Sequence, residues 1–237
     1  MAKGYLSEIF VSFQGEGREV GRRQLFLVDK PGAAQSEIRI GRIGAERSTT
    51  DYYALIVMNT ILGGSFSSRL NQNLRETHGY AYGAGSLFDF RPLPGPFLAA
   101  AAVQTDATDS SLVEFMKELR GITTQVTDEE LLRARNYVAL QFPGNFERVA
   151  GTADELADLV SYGLPDDYFA TYVDRIMAVN RDDVIRVARK YIDPDRVAII
   201  VVGDRARIEA PIRALRLGPT TVLAIDDVLG QPPAKGP

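Results

Sequence analysis

A single histidine, His78, stands in LRETHGYAYGAGS, residues 74–86, between a glutamate-bearing helix end and a strand with two tyrosines. A histidine in that company can ligate a metal, relay a proton for a nucleophile, or do neither. A hydrolytic zinc site on a helix needs two histidines one turn apart plus a glutamate, because the metal takes three protein ligands and the glutamate handles the proton of the bound water. With one histidine and no cysteine in 237 residues, the chain cannot supply that site. A Ser/His/Asp relay would also have to use His78, and no GxSxG turn accompanies it. His78, beside Gly79, is read as an exposed residue at a helix C-terminus, where the dipole favours it. GEGREVG at 15–21 has the spacing GxGxxxG and leads into a strand, so it does not make the anion site of a helix N-terminus.

What remains of the stretch is a pair seven residues apart, Arg75 near the helix end and Tyr82 in the strand. Arg75 borders a stripe of Phe66, Leu70 and Leu74, a position from which a guanidinium reaches into a cleft. Strand alternation predicts that Tyr80, Tyr82, Ala84 and Ser86 share one face. The residues themselves leave two readings open: a surface arginine beside a half-buried core tyrosine, or two hydrogen-bond donors aimed at a developing oxyanion.

The elements that must position the pair follow from periodicity. Residues 24–29 and 35–43 read as strands around a Pro31-Gly32 turn, the second alternating Ile38 and Ile40 with Arg39. Ser48 to Asp51 offer cap residues for a helix over 51–62, stopped by Gly63-Gly64. A second helix starts from Ser65 and ends at Gly79. Strands over 80–90 and 97–105 flank a turn rich in proline. Helical spacing then recurs over 106–122, 128–141, 147–162, 166–178 and 181–192, the last behind an Asn180 cap with Asp182 and Asp183 in its first turn. A buried strand follows over 196–204, and the pattern fades after Gly218 into a loose tail over 219–237. Consecutive helices mixed with strand pairs predict an α+β fold, a mainly antiparallel sheet covered by helices.

Composition narrows the function classes. The 27 basic and 31 acidic residues leave a net charge of −4 with no basic face, which argues against nucleic acid as a partner. No apolar run is long enough to span a membrane, and the N-terminus, as it stands, has no signal-peptide pattern. The absence of cysteine excludes disulfides, iron–sulfur clusters and thiolate zinc sites.

Several dispersed segments, in order, carry a resemblance. LGGSFSSRLNQNLRETHGYAYGAGS at 62–86, VDKPGAAQS at 28–36, GPFLAAAAVQTD at 95–106 and the stretch from Leu164 to Asp204 resemble the C-terminal, non-catalytic half of the insulinase-like (pitrilysin, processing-peptidase-like) zinc peptidases. The resemblance covers about residues 22–210 and implies one domain over 22–218. It implies that a homologous half or subunit bearing zinc on an inverted His-x-x-Glu-His helix closes with this one around an unfolded peptide, so that zinc lies in the partner and no cofactor in this chain. It implies that Arg75 and Tyr82 grip the scissile carbonyl, and that His78 is no ligand. Full-length bacterial relatives are often exported, so the periplasm is the compartment expected by resemblance.

Residues 5–21 differ, resembling instead the opening of carboxy-deazaguanine synthase, with Gln14 and Glu16 at the substrate-touching positions. That enzyme needs three clustered cysteines, which are absent here. Residues 1–21 are therefore expected to be an extraneous segment, consistent with a longer peptidase cut short. Three functions stay open on the sequence: a substrate-gripping peptidase half, a non-enzymatic assembly subunit of the same fold, and, remotely, a deazaguanine-pathway remnant.

Overall fold

The computed structural model describes residues 20–229; Gln14, Glu16 and the rest of the synthase-like stretch up to residue 19 lie outside them. Six strands form one sheet: β1 (Gln24–Asp29), β2 (Gln35–Ile43), β3 (Ala81–Phe88), β4 (Pro96–Gln104), β5 (Ala198–Gly203) and β6 (Thr220–Leu223). Their order across the sheet is β3-β4-β2-β5-β1-β6. β2 runs antiparallel to β4 and β5, β3 antiparallel to β4, and β1 parallel to both β5 and β6. The fold is therefore α+β with a mainly antiparallel sheet. The Pro31-Gly32 turn does not close a hairpin, because β5 lies between β1 and β2. Gly32 takes a φ of 72° in that turn, a backbone that residues with a Cβ rarely adopt.

Strand burial explains the apolar runs. In β4, Phe97, Ala99, Ala101 and Val103 are buried and alternate with half-buried residues, so one face meets the helices. β1 is buried on both sides: Leu25 and Leu27 join the main core, and Phe26 and Val28 pack with Ala198 and Leu223 behind the sheet. The helices are α1 (Tyr52–Leu62), a short turn α2 (Arg69–Asn71), α3 (Thr108–Gly121), α4 (Asp128–Gln141), α5 (Val149–Ser161), α6 (Tyr168–Ala178), α7 (Arg181–Tyr191), α8 (Arg205–Ala214) and α9 (Ile225–Leu229), and all but α9 supply residues to the main core or pack against it. α1 is the central helix, with Leu55, Val57, Met58 and Leu62 fully buried, and it packs on α4 and α7. Each such buried side chain contributes about 1.5–3 kcal/mol relative to exposure.

The capping expected at Asn180 is present in full: Asn180 Oδ1 accepts from the Asp183 N–H and Asp183 returns the bond. The capping expected before α1 is not. Asp51 is the boundary residue, but its carboxylate makes no cap bond; it accepts from Arg186, Lys190 and Tyr191 of α7 instead. Two further differences lie near the C-terminus. α8 follows β5 directly, capped by Asp204 and carrying Pro211 inside it, and its buried Ile208 and Ile212 are the only apolar signal in a stretch that proline disguises. β6 then forms within the stretch read as a tail, held by its parallel pairing to β1.

Candidate functional site

The helix expected to run from Ser65 to Gly79 is shorter and differently wound. α2 begins at Arg69, behind an extended Ser68, and passes at once into a π-helical turn, Gln72–Thr77, in which the His78 N–H reaches back five residues to the Asn73 carbonyl. Gly79, at a φ of 65°, ends it, and the Tyr80 N–H returns to the Leu74 carbonyl, turning the chain straight into β3. Leu70 and Leu74 are fully buried as a stripe should be. Phe66 is not part of that stripe: it precedes the helix and is 62% exposed.

β3 also departs from alternation. Its register against β4 shifts between Ala81 and Ala84, so that three residue steps on β3 answer two on β4. The expected common face of Tyr80, Tyr82, Ala84 and Ser86 does not form. Ala84 and Ser86 stand opposite the buried Ala101 and Ala99, whereas Tyr82 falls in the bulge and is 87% exposed.

The π-helical turn and the bulge bring Arg75 and Tyr82 together. The Arg75 guanidinium carbon lies 5.1 Å from the centre of the Tyr82 ring and 4.7 Å from that of Phe66, so an arginine is flanked by two exposed aromatic rings. Its Nε also lies 3.2 Å from the Glu76 carboxylate. β3 is fastened beneath this group: Asn59 of α1 exchanges hydrogen bonds with the Ser86 carbonyl and hydroxyl, and the Gly63 carbonyl accepts from the Ser86 N–H. The approach is so close that a Cβ on Gly63 would lie 2.2 Å from the Ser86 nitrogen, which is why glycine stops α1. Two donors, one charged, thus stand side by side at the surface, Arg75 on the π-helical turn and Tyr82 on the well-anchored strand that follows it.

His78 is placed at the end of the π-helical turn, its ring stacked on Tyr80 at 4.8 Å and 3.9 Å from Glu114. Burial pushes the Glu114 carboxyl up, but bonds from Lys117 and Asn73 outweigh it and hold the group below the usual carboxylate range. Among the described residues, no three His, Cys, Asp or Glu side chains are grouped to hold a metal ion. One imidazole, already stacked and facing one carboxylate, does not fit the donor set that zinc takes. No helix of the described residues is long and apolar enough to cross a membrane.

Sequence reasoning missed Phe66 as a wall of this site, since its spacing from Leu70 imitates a core stripe. The extended Ser68 breaks that spacing, and no sequence pattern announces it.

A family model described as the peptidase M16 inactive domain matches residues 8–138, a range that begins inside the segment read as extraneous. An uncharacterized zinc protease of Rickettsia felis is 29% identical over 141 residues, covering 58% of this chain and 34% of that protein. The chain therefore spans about a third of the length of such curated relatives. Among solved structures, the peptidase M16 inactive domain from Pseudomonas fluorescens superposes with a TM-score of 0.71 at 23% identity, covering 77% of this chain and 44% of that one. A protease from Helicobacter pylori gives 0.69 at 19% identity, covering 79% and 46%.

Proposed function

Because the chain belongs to the peptidase M16 inactive domain family, we propose that it is the substrate-gripping, non-catalytic half of a zinc endopeptidase, closing with a zinc-bearing half around an unfolded peptide. The observation that carries this reading is the contact of Arg75 with the exposed ring of Tyr82. During peptide-bond hydrolysis the carbonyl oxygen gains negative charge, and donors fixed at that oxygen act more strongly on the transition state than on the substrate. Tyr82 donates a hydrogen bond there from its hydroxyl, and Arg75 adds a charge-assisted one. The naming of relatives as zinc proteases supports the reading. So does a donor set that leaves metal chemistry to another half. α5 buries none of its residues and leaves Val149 and Val160 open, apolar surface of a kind that partners cover.

The competing reading, a non-enzymatic assembly subunit of the same fold, needs neither Arg75 nor Tyr82. The test is cleavage of an internally quenched, unfolded peptide by this chain paired with a homologous half that carries His-x-x-Glu-His. Tyr82→Phe, which removes only the hydroxyl, is expected to lower turnover by about a hundred- to a thousandfold, about 2.7–4 kcal/mol of barrier, with peptide affinity nearly unchanged. Full activity in the Tyr82→Phe pair would leave the assembly subunit as the better account.

A further inference from the structure

Phe66 and Tyr82 are both exposed, and an exposed ring seldom keeps one place unless something behind it is fixed. One side chain is hydrogen-bonded to the backbone beside both. Asn71, the last residue of α2, is 5% exposed, and its amide is used at both ends. Its Nδ2 donates to the Phe66 carbonyl at 2.7 Å, and its Oδ1 accepts from the Ala84 N–H at 3.3 Å. The two partners fix the orientation of the amide, since a carbonyl can only accept and a backbone N–H can only donate.

The first bond holds the loop that carries Phe66; the second holds the residue that closes the β3 bulge carrying Tyr82. At the bulge the register breaks between Ala81 and Ala84, so sheet pairing does not set the position of Tyr82. Space is not the limit there: a Cβ on Gly83 would meet nothing closer than Asn71 Oδ1, at 3.8 Å. We propose that Asn71 is the positioning residue of the site, a two-ended brace that sets the separation of Phe66 and Tyr82 so that the Arg75 guanidinium stacks between them. This inference rests on the reading of Arg75 and Tyr82 as the carbonyl grip. Asn71 itself contacts no substrate; it acts through the two rings and the arginine they flank.

The chain contains no tryptophan, so Tyr82→Trp installs a single fluorophore in the bulge, and its emission and quenching by acrylamide report the stack without any partner. Adding Asn71→Asp, which keeps the acceptor and deletes the donor, is expected to shift emission to the red and raise quenching to the level produced by adding Arg75→Ala. Adding Asn71→Leu, which deletes both bonds in a similar volume, should do the same. Unchanged emission and quenching in both would overturn the brace. Should these variants fold poorly by circular dichroism, the unsubstituted chain still decides: the Asn71 side-chain amide protons should exchange slowly in nitrogen-15 spectra, and exchange at the rate of an exposed asparagine would overturn it.

In the reconstituted pair, with Tyr82 intact, Asn71→Asp should lower kcat by up to about a hundredfold while KM stays close to wild type, since a displaced grip loses transition-state contacts first. A purely structural role would instead lower the melting temperature and leave kcat per folded molecule unchanged, which would also overturn the proposal. The two readings fail separately. Full activity in Tyr82→Phe removes the grip and leaves the fluorescence result standing. A slow Tyr82→Phe with a wild-type Asn71→Asp keeps the grip and removes the brace.

Discussion

The proposed grip uses Arg75 as a plane as much as a charge. Its guanidinium is faced by Phe66 and Tyr82 at 4.7 and 5.1 Å, and a lysine ammonium, compact and strongly hydrated, cannot fill that slot. Arg75→Lys is therefore expected to lose most of what Arg75→Ala loses in turnover of the reconstituted pair, on the order of a hundredfold, whereas His78→Gln leaves turnover close to wild type. A fully active Arg75→Lys pair would show that charge alone suffices and that the stack is incidental. At this scale the sequence brought Arg75 and Tyr82 near each other, a helix end and the following strand, and left open whether they form a site; only the family resemblance singled them out as one. It did not show how they meet. The exposure of Tyr82 comes from a bulge, and the placement of Phe66 from a helix that starts at Arg69 instead of Ser65.

Most element boundaries were legible because glycine, proline and cap residues mark them locally: Gly63 after α1, Gly79 after the π-helical turn, Asn180 before α7. The elements that escaped depend on distant partners. α8 hides behind Pro211, and β6 exists through its pairing with β1. Asp51 belongs to the same class, a residue with the type of a cap and the role of a tertiary anchor. Its side chain is 7% exposed and accepts from Arg186 at 2.6 Å, Lys190 at 2.8 Å and Tyr191 at 3.0 Å, fastening the start of α1 to α7. Burial alone would raise its pKa, but these three bonds outweigh it and bring the group from 3.8 to about 2. A carboxyl depressed in the folded state contributes stability above its unfolded pKa and loses it as pH falls through the folded value. The window is therefore roughly pH 4 down to 2, and the contribution at neutral pH is about 2 kcal/mol. Urea unfolding of wild type and Asp51→Asn should differ by about that amount at pH 6 and converge toward pH 2. Parallel curves across that range would show that the anchor carries no net stability.

At the scale of the whole molecule, one six-stranded sheet, with its main core on one face and the smaller Phe26, Val28, Ala198 and Leu223 cluster on the other, carries the Arg75–Tyr82 pair at its β3 edge. A chain that depended on a structural zinc would bind it through thiolates and imidazoles and lose folding free energy on chelation. Here the donor set is one imidazole and no thiolate, and that imidazole is stacked on Tyr80. Fold class was legible from the order of strands and helices, but the mixed direction of the sheet was not, because β5 inserts between β1 and β2 from about 170 residues away along the chain. The metal prediction follows from the composition and the placement together. The purified chain should contain no stoichiometric zinc by elemental analysis, and excess chelator should leave its thermal unfolding curve unmoved. A resident ion held a thousandfold above its dissociation constant would stabilise the folded state by about 4 kcal/mol, a shift in melting temperature of roughly 8–16 °C for a domain of this size. One tightly held zinc per chain, or a shift of that order on chelation, would show that this half carries a metal site of its own and would overturn the division of labour in which the grip and the metal lie on separate halves.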